Sequence, residues 1–121
     1  MKLPSPDHPI AIACSGKRVR ISFAGKIIAD TTRALTLQEA GYPPVHYIPR
    51  ADTDMSLLKP TRHSTHCPYK GDASYFTIEA NDRSADNAAW SYQQPYPAVK
   101  EIKDHLAFYP DRVDRIEEVP A

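Results

Sequence analysis

"ASYFTIEANDRSADNAAWSYQ", residues 73–93, holds two β-prone runs separated by a polar turn. Residues 73–80 and 87–93 are rich in aromatic and β-branched side chains, and Asn81–Ser84 has turn composition. Folding one run back on the other makes a hairpin whose opposed positions sum to about 165 for a short loop. Position 75 then sits near 90, and position 73 near 92. Trp90 and Tyr92 share parity, so they lie on one face, with Tyr75 on the neighbouring strand and Phe76 on the opposite face. Lys70 falls just beyond the paired region, beside the Tyr92–Gln94 end.

Working outward, "RVRISF" (18–23) alternates, with Val19, Ile21 and Phe23 on one face and Arg18, Arg20 and Ser22 on the other, which predicts a half-buried strand. Ala24-Gly25 suits a hairpin turn into "IIAD" (27–30). In "RALTLQEA" (33–40), Ala34, Thr36 and Gln38 alternate with Leu35, Leu37 and Glu39. It can be read as strand or helix, and a strand beside 26–31 is the favoured reading. "VHYIP" (45–49) is a strand stopped by proline. "ADTDMSLLKP" (51–60) predicts one or two helical turns, capped by Asp52 or Thr53 and ended by Pro60. "PYPAVKEIKDHL" (95–106) predicts the longest helix, with Pro97 in its first turn and Val99, Ile102 and Leu106 as its apolar stripe. "AFYP" (107–110) is a last short strand. Residues 1–16 read as an irregular leader in which "IAIA" can pair as an edge strand, and residues 111–121 as a charged tail. The pattern predicts a mainly β (β-rich α+β) chain: an antiparallel sandwich or partly open barrel with one short and one moderate helix.

The bulk numbers agree. The 121 residues suit a single domain, 1–121, that needs no disulfide or metal to fold. Twelve prolines against four glycines favour short strands and stiff loops over long helices. Fifteen basic and fifteen acidic side chains give zero net charge and no basic run, which disfavours nucleic acid as a partner. No segment is long and apolar enough for a signal peptide or membrane span, so the expectation is a cytoplasmic protein with no membrane partner. Cys14 and Cys67 are then expected to be free thiols.

The chemistry concentrates in "RHSTHCPYKGDASYF" (62–76), expected to be a loop and the start of a strand. His63, His66, Cys67 and Cys14 are metal-ligand types, but structural zinc usually shows paired spacings, and a second pair is missing. We therefore expect no metal and no cofactor. Cys67 precedes Pro68, which fixes its backbone as extended. Its thiol is either a small buried hydrophobe or a nucleophile influenced by His66 and Lys70. "PYKG" is not a Walker loop, because it leads into a strand. Gly71 marks a conformation or close approach that a Cβ would hinder.

"VHYIPRADTDMSLL" (45–58), "STHCPYKGDASYF" (64–76) and "AAWSYQQPYPAVKEIKDHLAFYPDRVD" (88–114) together resemble the bacterial and fungal family called domain of unknown function four-two-seven. The motifs are Tyr-x-Pro-Arg-x-Asp (47–52), Thr-x-Cys-Pro-Tyr-Lys-Gly (65–71), Ala-Trp-x-Tyr (89–92), the following Pro95, and Ala-Phe-Tyr (107–109). The resemblance covers about residues 16–115 and implies a compact, mainly β domain with a shared pocket. The family sometimes carries a nucleotidyltransferase-like label, yet this chain lacks the paired carboxylates and Gly-Ser turn that two-metal nucleotidyl transfer requires.

Two functional readings follow. In the first, Lys70, Arg50, Asp52, Trp90 and Tyr92, with Cys67 and Tyr47, form an aromatic-walled small-molecule site, binding or catalytic. The cations would hold an anionic group, the rings would hold a flat or apolar part, and Asp52 would serve as general base if its pKa were raised. In the second, the same residues are core and rim of a non-enzymatic interaction module that docks a protein partner on a sheet edge.

Overall fold

In the computed structural model, which describes residues 1–120, the chain is mainly β: three antiparallel sheets that do not close into a barrel. Four strands form the largest sheet: β6 (Leu58–Cys67), β7 (Gly71–Ala80), β8 (Arg83–Tyr92) and β9 (Ala107–Phe108), in that spatial order. From Phe76 outward the β7–β8 hairpin has the register read from the sequence, with Tyr75 opposite Trp90 and Ala73 opposite Tyr92, whereas nearer the turn Ala80 opposes Arg83, so the loop is Asn81–Asp82 and Arg83 and Ser84 belong to β8. Asn81 and Asp82 both take positive φ, the conformation a two-residue turn needs to match the twist of its strands. A bulge then interrupts the ladder. Phe76 pairs with Ala89 but Ile78 with Ala85, Asn87 takes φ +49°, and its N–H donates to the Thr77 hydroxyl at 3.1 Å.

Two three-stranded sheets cover this one. β2 (Lys17–Phe23) lies between β3 (Lys26–Thr31) and β10 (Arg115–Pro120). β4 (Leu35–Glu39) lies between β1 (Ile10–Cys14) and β5 (Val45–Tyr47). Each builds its own core. Val19, Ile21, Phe23 and Ile28 pack with Phe76, Ile78 and Leu106, whereas Leu37 and Tyr47 pack with Tyr75, Tyr92, Val99 and Ile102. The consequence is visible along β7. Ala73 and Tyr75 are buried on one face, then Phe76, Ile78 and Ala80 on the other. The buried face changes between Tyr75 and Phe76, because a different sheet packs on each half of the strand.

The sequence reading needs five corrections. Residues 95–106 contain no α-helix. Pro97–Ile102 makes 3₁₀ turns broken at Val99 (φ −125°), because the segment is tied to the sheet at both ends, by Tyr96 N–H to the Lys70 carbonyl and Asp104 N–H to the Tyr92 carbonyl. The expected stripe of Val99, Ile102 and Leu106 is nonetheless fully buried. The helical turns expected over 51–60 are two single 3₁₀ turns, Arg50–Asp52 and Met55–Leu57, but the cap is neither Asp52 nor Thr53: Asp54 accepts from Ser56 N–H. Pro60 stops nothing. It lies within β6, an edge strand that tolerates a residue without N–H, and residues 62–67, expected as loop, continue that strand. β4 pairs with β1 and β5 rather than with 26–31, since "IAIA" of the supposed leader takes its free side. The supposed tail contains β10, which hydrogen-bonds along β2 from Arg115 to Pro120. Among the described residues, no helix is long and apolar enough to cross a membrane.

Candidate functional site

Where β4 and β5 cross the aromatic end of the β7–β8 hairpin, the walls leave a chamber of about 200 Å³. Strand parity fills it. Tyr75 from β7 and Trp90 and Tyr92 from β8 share the face that looks into it, Leu37, Glu39 and Tyr47 enter from the facing sheet, and Tyr109 follows β9. The rings hold one another. Trp90 donates its indole N–H to the Tyr47 hydroxyl at 3.3 Å and meets that ring edge-on, and its own ring lies 4.5 Å from Tyr109. The Tyr75 and Tyr109 hydroxyls are 3.2 Å apart, and Thr65 of β6 lies 3.0 Å from the Tyr75 hydroxyl.

Tyr92 differs from its neighbours. Its ring is buried, with the residue only 5% exposed, and among the described residues its hydroxyl has no hydrogen-bond partner; since no buried side-chain polar atom is left unsatisfied, that hydroxyl opens to accessible space. Burial raises the pKa of both Tyr92 and Tyr47 well above the ordinary phenol value. Burial, aided by Tyr75, pushes Tyr109 up to about 12. These phenols stay protonated at neutral pH and act as hydrogen-bond donors, not as bases or nucleophiles.

Lys70 does turn inward. It closes the three-residue turn from Cys67 to Gly71, which pair with each other across β6 and β7, and it is 9% exposed. Its ammonium donates to one Glu39 oxygen, while the other Glu39 oxygen lies 2.7 Å from His8 Nε2. His8 in turn stacks on Tyr69, 4.0 Å between ring centres. Burial raises the Glu39 pKa, but hydrogen bonds from Lys70 and His8 outweigh it and leave the carboxyl below its ordinary value. Gly71 has φ +109°, a conformation side-chain-bearing residues rarely adopt, so the turn that aims Lys70 favours glycine there, while a Cβ would only make contact with the Gln94 carbonyl at 3.4 Å.

Of the residues expected from the sequence, Lys70, Trp90, Tyr92 and Tyr47 come together at the chamber. Cys67 packs half-buried against the same aromatic cluster. Arg50 and Asp52 do not reach it. Arg50 donates to the Asp104 carbonyl (2.8 Å) and to Ser91 Oγ (3.3 Å), with its guanidinium over Phe76. Ser91 and Phe76 have the parity opposite to Trp90 and Tyr75, so Arg50 belongs to the far face of the sheet. Asp52 accepts from Thr31 Oγ1 at 2.7 Å and from Arg33 at 3.0 Å. The Thr31 bond, with help from Arg33, lowers its pKa against the effect of burial. A depressed carboxylate is a poorer base, so the general-base role expected for Asp52 is withdrawn.

Among the described residues, the only charged side chains lining the chamber are Lys70 and Glu39, which neutralise each other. Sequence reasoning missed Glu39, His8 and Tyr109. A single carboxylate, occupied by Lys70 and His8, does not supply the acidic pair of two-metal nucleotidyl transfer. Among the described residues, no three His, Cys, Asp or Glu side chains cluster as metal ligands, and both cysteines are free thiols.

No curated protein matches the chain. The sequence pattern of a family described as a domain of unknown function, DUF427, matches residues 11–119. That span takes in every strand from β2 to β9 and all the chamber-lining side chains. The chain thus belongs to the DUF427 family.

Proposed function

We propose that this domain binds a small molecule, with a flat ring seated in the tyrosine- and tryptophan-walled chamber and a hydrogen-bond acceptor directed at Tyr92. The observation that carries the reading is the Tyr92 hydroxyl: on a ring that is otherwise buried, it has no hydrogen-bond partner among the described residues and lines the accessible space of the chamber. Size supports it. A cavity of about 150 Å³ suffices for benzene, and at about 30 Å³ per water-sized group the chamber accommodates about seven such groups, one ring with one substituent. Charge argues for an uncharged ring over the anionic ligand expected from the sequence, because Arg50 lies elsewhere and Glu39 cancels Lys70. Zero net charge and two free thiols support a cytoplasmic setting with neither nucleic acid nor membrane as partner.

The test uses Trp90, the single tryptophan of the chain and part of the chamber wall, as reporter. Phenol and similar monocyclic acceptors should change its fluorescence saturably and raise the melting temperature in step with occupancy. Tyr92→Phe should weaken binding about fivefold, the effect of one neutral hydrogen bond. A library of small rings that neither perturbs Trp90 nor shifts melting would sink the proposal.

A further inference from the structure

A second space lies against the chamber. It measures about 580 Å³ and is walled largely by carbon, with Ile21 and Phe108 among its buried walls and Ile116, Pro44 and Pro110 towards solvent. Tyr42, Pro43, Val45, Trp90 and Tyr109 line both spaces. The two therefore adjoin at the Trp90–Tyr109 pair, under the 42–45 segment. Their chemistry differs. The chamber carries phenol hydroxyls and the Glu39–Lys70 pair, whereas beyond the rings the two spaces share the groove adds only His46 and Glu118 as polar side chains, and these bond each other at 2.7 Å. Tyr42 stands 62% exposed at the junction.

We propose that chamber and groove form one binding site, and that its ligand is an amphiphile: a polar-substituted ring in the chamber with an apolar chain along the groove. This rests on the small-molecule reading above and names the class of molecule. The occupant follows from the walls the two spaces share and from their opposite polarity. A hydrocarbon chain leaving the ring at the Trp90–Tyr109 junction meets apolar surface, and nothing along most of the groove asks for a hydrogen bond.

The experiment titrates the intact chain with phenol, para-ethylphenol, para-butylphenol and para-hexylphenol, following Trp90 fluorescence and, independently, calorimetric heat. Affinity should rise about fourfold for each methylene, as expected for burying a CH₂ group. Pro44→Asp and Pro110→Asp, each placing a charge in the groove at an exposed position, should flatten that dependence while phenol itself binds as before. Melting curves identify any variant that is not folded, and the other then decides. Phenol binding with no dependence on chain length, or a dependence that survives both substitutions, overturns the amphiphile inference and leaves the ring site standing. Binding by no member of the series overturns both.

Discussion

Lys70→Met replaces the inward ammonium with an apolar group of similar length and leaves Glu39 without its main partner. Side-chain exposures of 11% and 15% make this a largely buried pair. Removing one partner from such a pair costs about 3–5 kcal/mol, most of it from the stranded charge. His8 remains on the second Glu39 oxygen, which puts the expected loss at the lower end, about 3 kcal/mol. For a chain of this length that corresponds to about 12 °C in melting temperature. Glu39→Gln alone should cost about 2 kcal/mol, since the ammonium can still reach the amide oxygen. The double variant has no stranded charge and should lose only about 2 kcal/mol, which gives a coupling of about 3 kcal/mol. Urea unfolding followed by Trp90 fluorescence measures all three, with the denaturant slope as a check that the folded state is intact. The pH dependence has a defined sign. The folded Glu39 pKa is depressed, so the pair's contribution is complete above the unfolded value of about 4.5 and is lost as pH falls through the folded value. The gap between wild type and Lys70→Met should therefore close in acid. A Lys70→Met loss under about 0.5 kcal/mol at neutral pH, or a double variant equal to the sum of the singles, would refute the argument that the turn is anchored through this pair.

Three further outcomes are expected. Gly71→Ala should lose about 1–3 kcal/mol, because alanine at φ +109° is strained; chemical denaturation measures this, and a neutral result would mean the turn relaxes freely. Ile78→Ala, at a fully buried site in the larger core, should cost about 2–5 kcal/mol by the same assay. Stability should fall as pH rises above about 10, by up to about 4 kcal/mol per pH unit from Tyr47, Tyr92 and Tyr109 together, since their folded pKa values lie above the unfolded value and protons are released only on unfolding; urea midpoints between about pH 10 and 12, compared with Tyr92→Phe, show whether the slope drops by about a third.

Much of the fold was legible wherever one face of a strand is buried along its whole length. Val19, Ile21 and Phe23 alternate with polar residues because only the β3–β10 sheet's inner face meets the core, and the structure buries all three. The Tyr75–Trp90 end of the β7–β8 pair has the register expected from a four-residue turn by another route: a two-residue turn puts Ala80 opposite Arg83, and the bulge between Phe76 and Ile78 then shifts the pairing by two. β6 was not legible. It is an edge strand with eight of its ten residues outside the core, so "LKPTRHSTHC" has the composition of a loop, and its ladder to β7 depends on tertiary pairing that no local pattern announces. The false helix at 95–106 has a related cause: its apolar spacing is real, but it reflects burial of Val99, Ile102 and Leu106 by a segment whose ends are pinned to the sheet.

The site was half legible for a reason that lies in strand parity. Trp90, Tyr92 and Tyr75 could be placed together because antiparallel pairing puts opposed residues on one face, and Lys70 followed from the register. Glu39 carried an equally local signal. It shares the parity of Leu35 and Leu37, so a carboxylate stood on the apolar face of its strand, and a charge in that position must find a counter-charge when the sheet packs. Naming the partner required knowing which sheet covers which half of the hairpin. Arg50 shows the same limit from the other side. It sits next to a chamber residue in the chain, three positions after Tyr47, but the 3₁₀ turn carries it across the sheet to Ser91, where the face belongs to the other core. Residues brought together by alternation along one strand pair were predictable. Residues brought together by the change of covering sheet between Tyr75 and Phe76 were not, and it is at that change that the chamber forms.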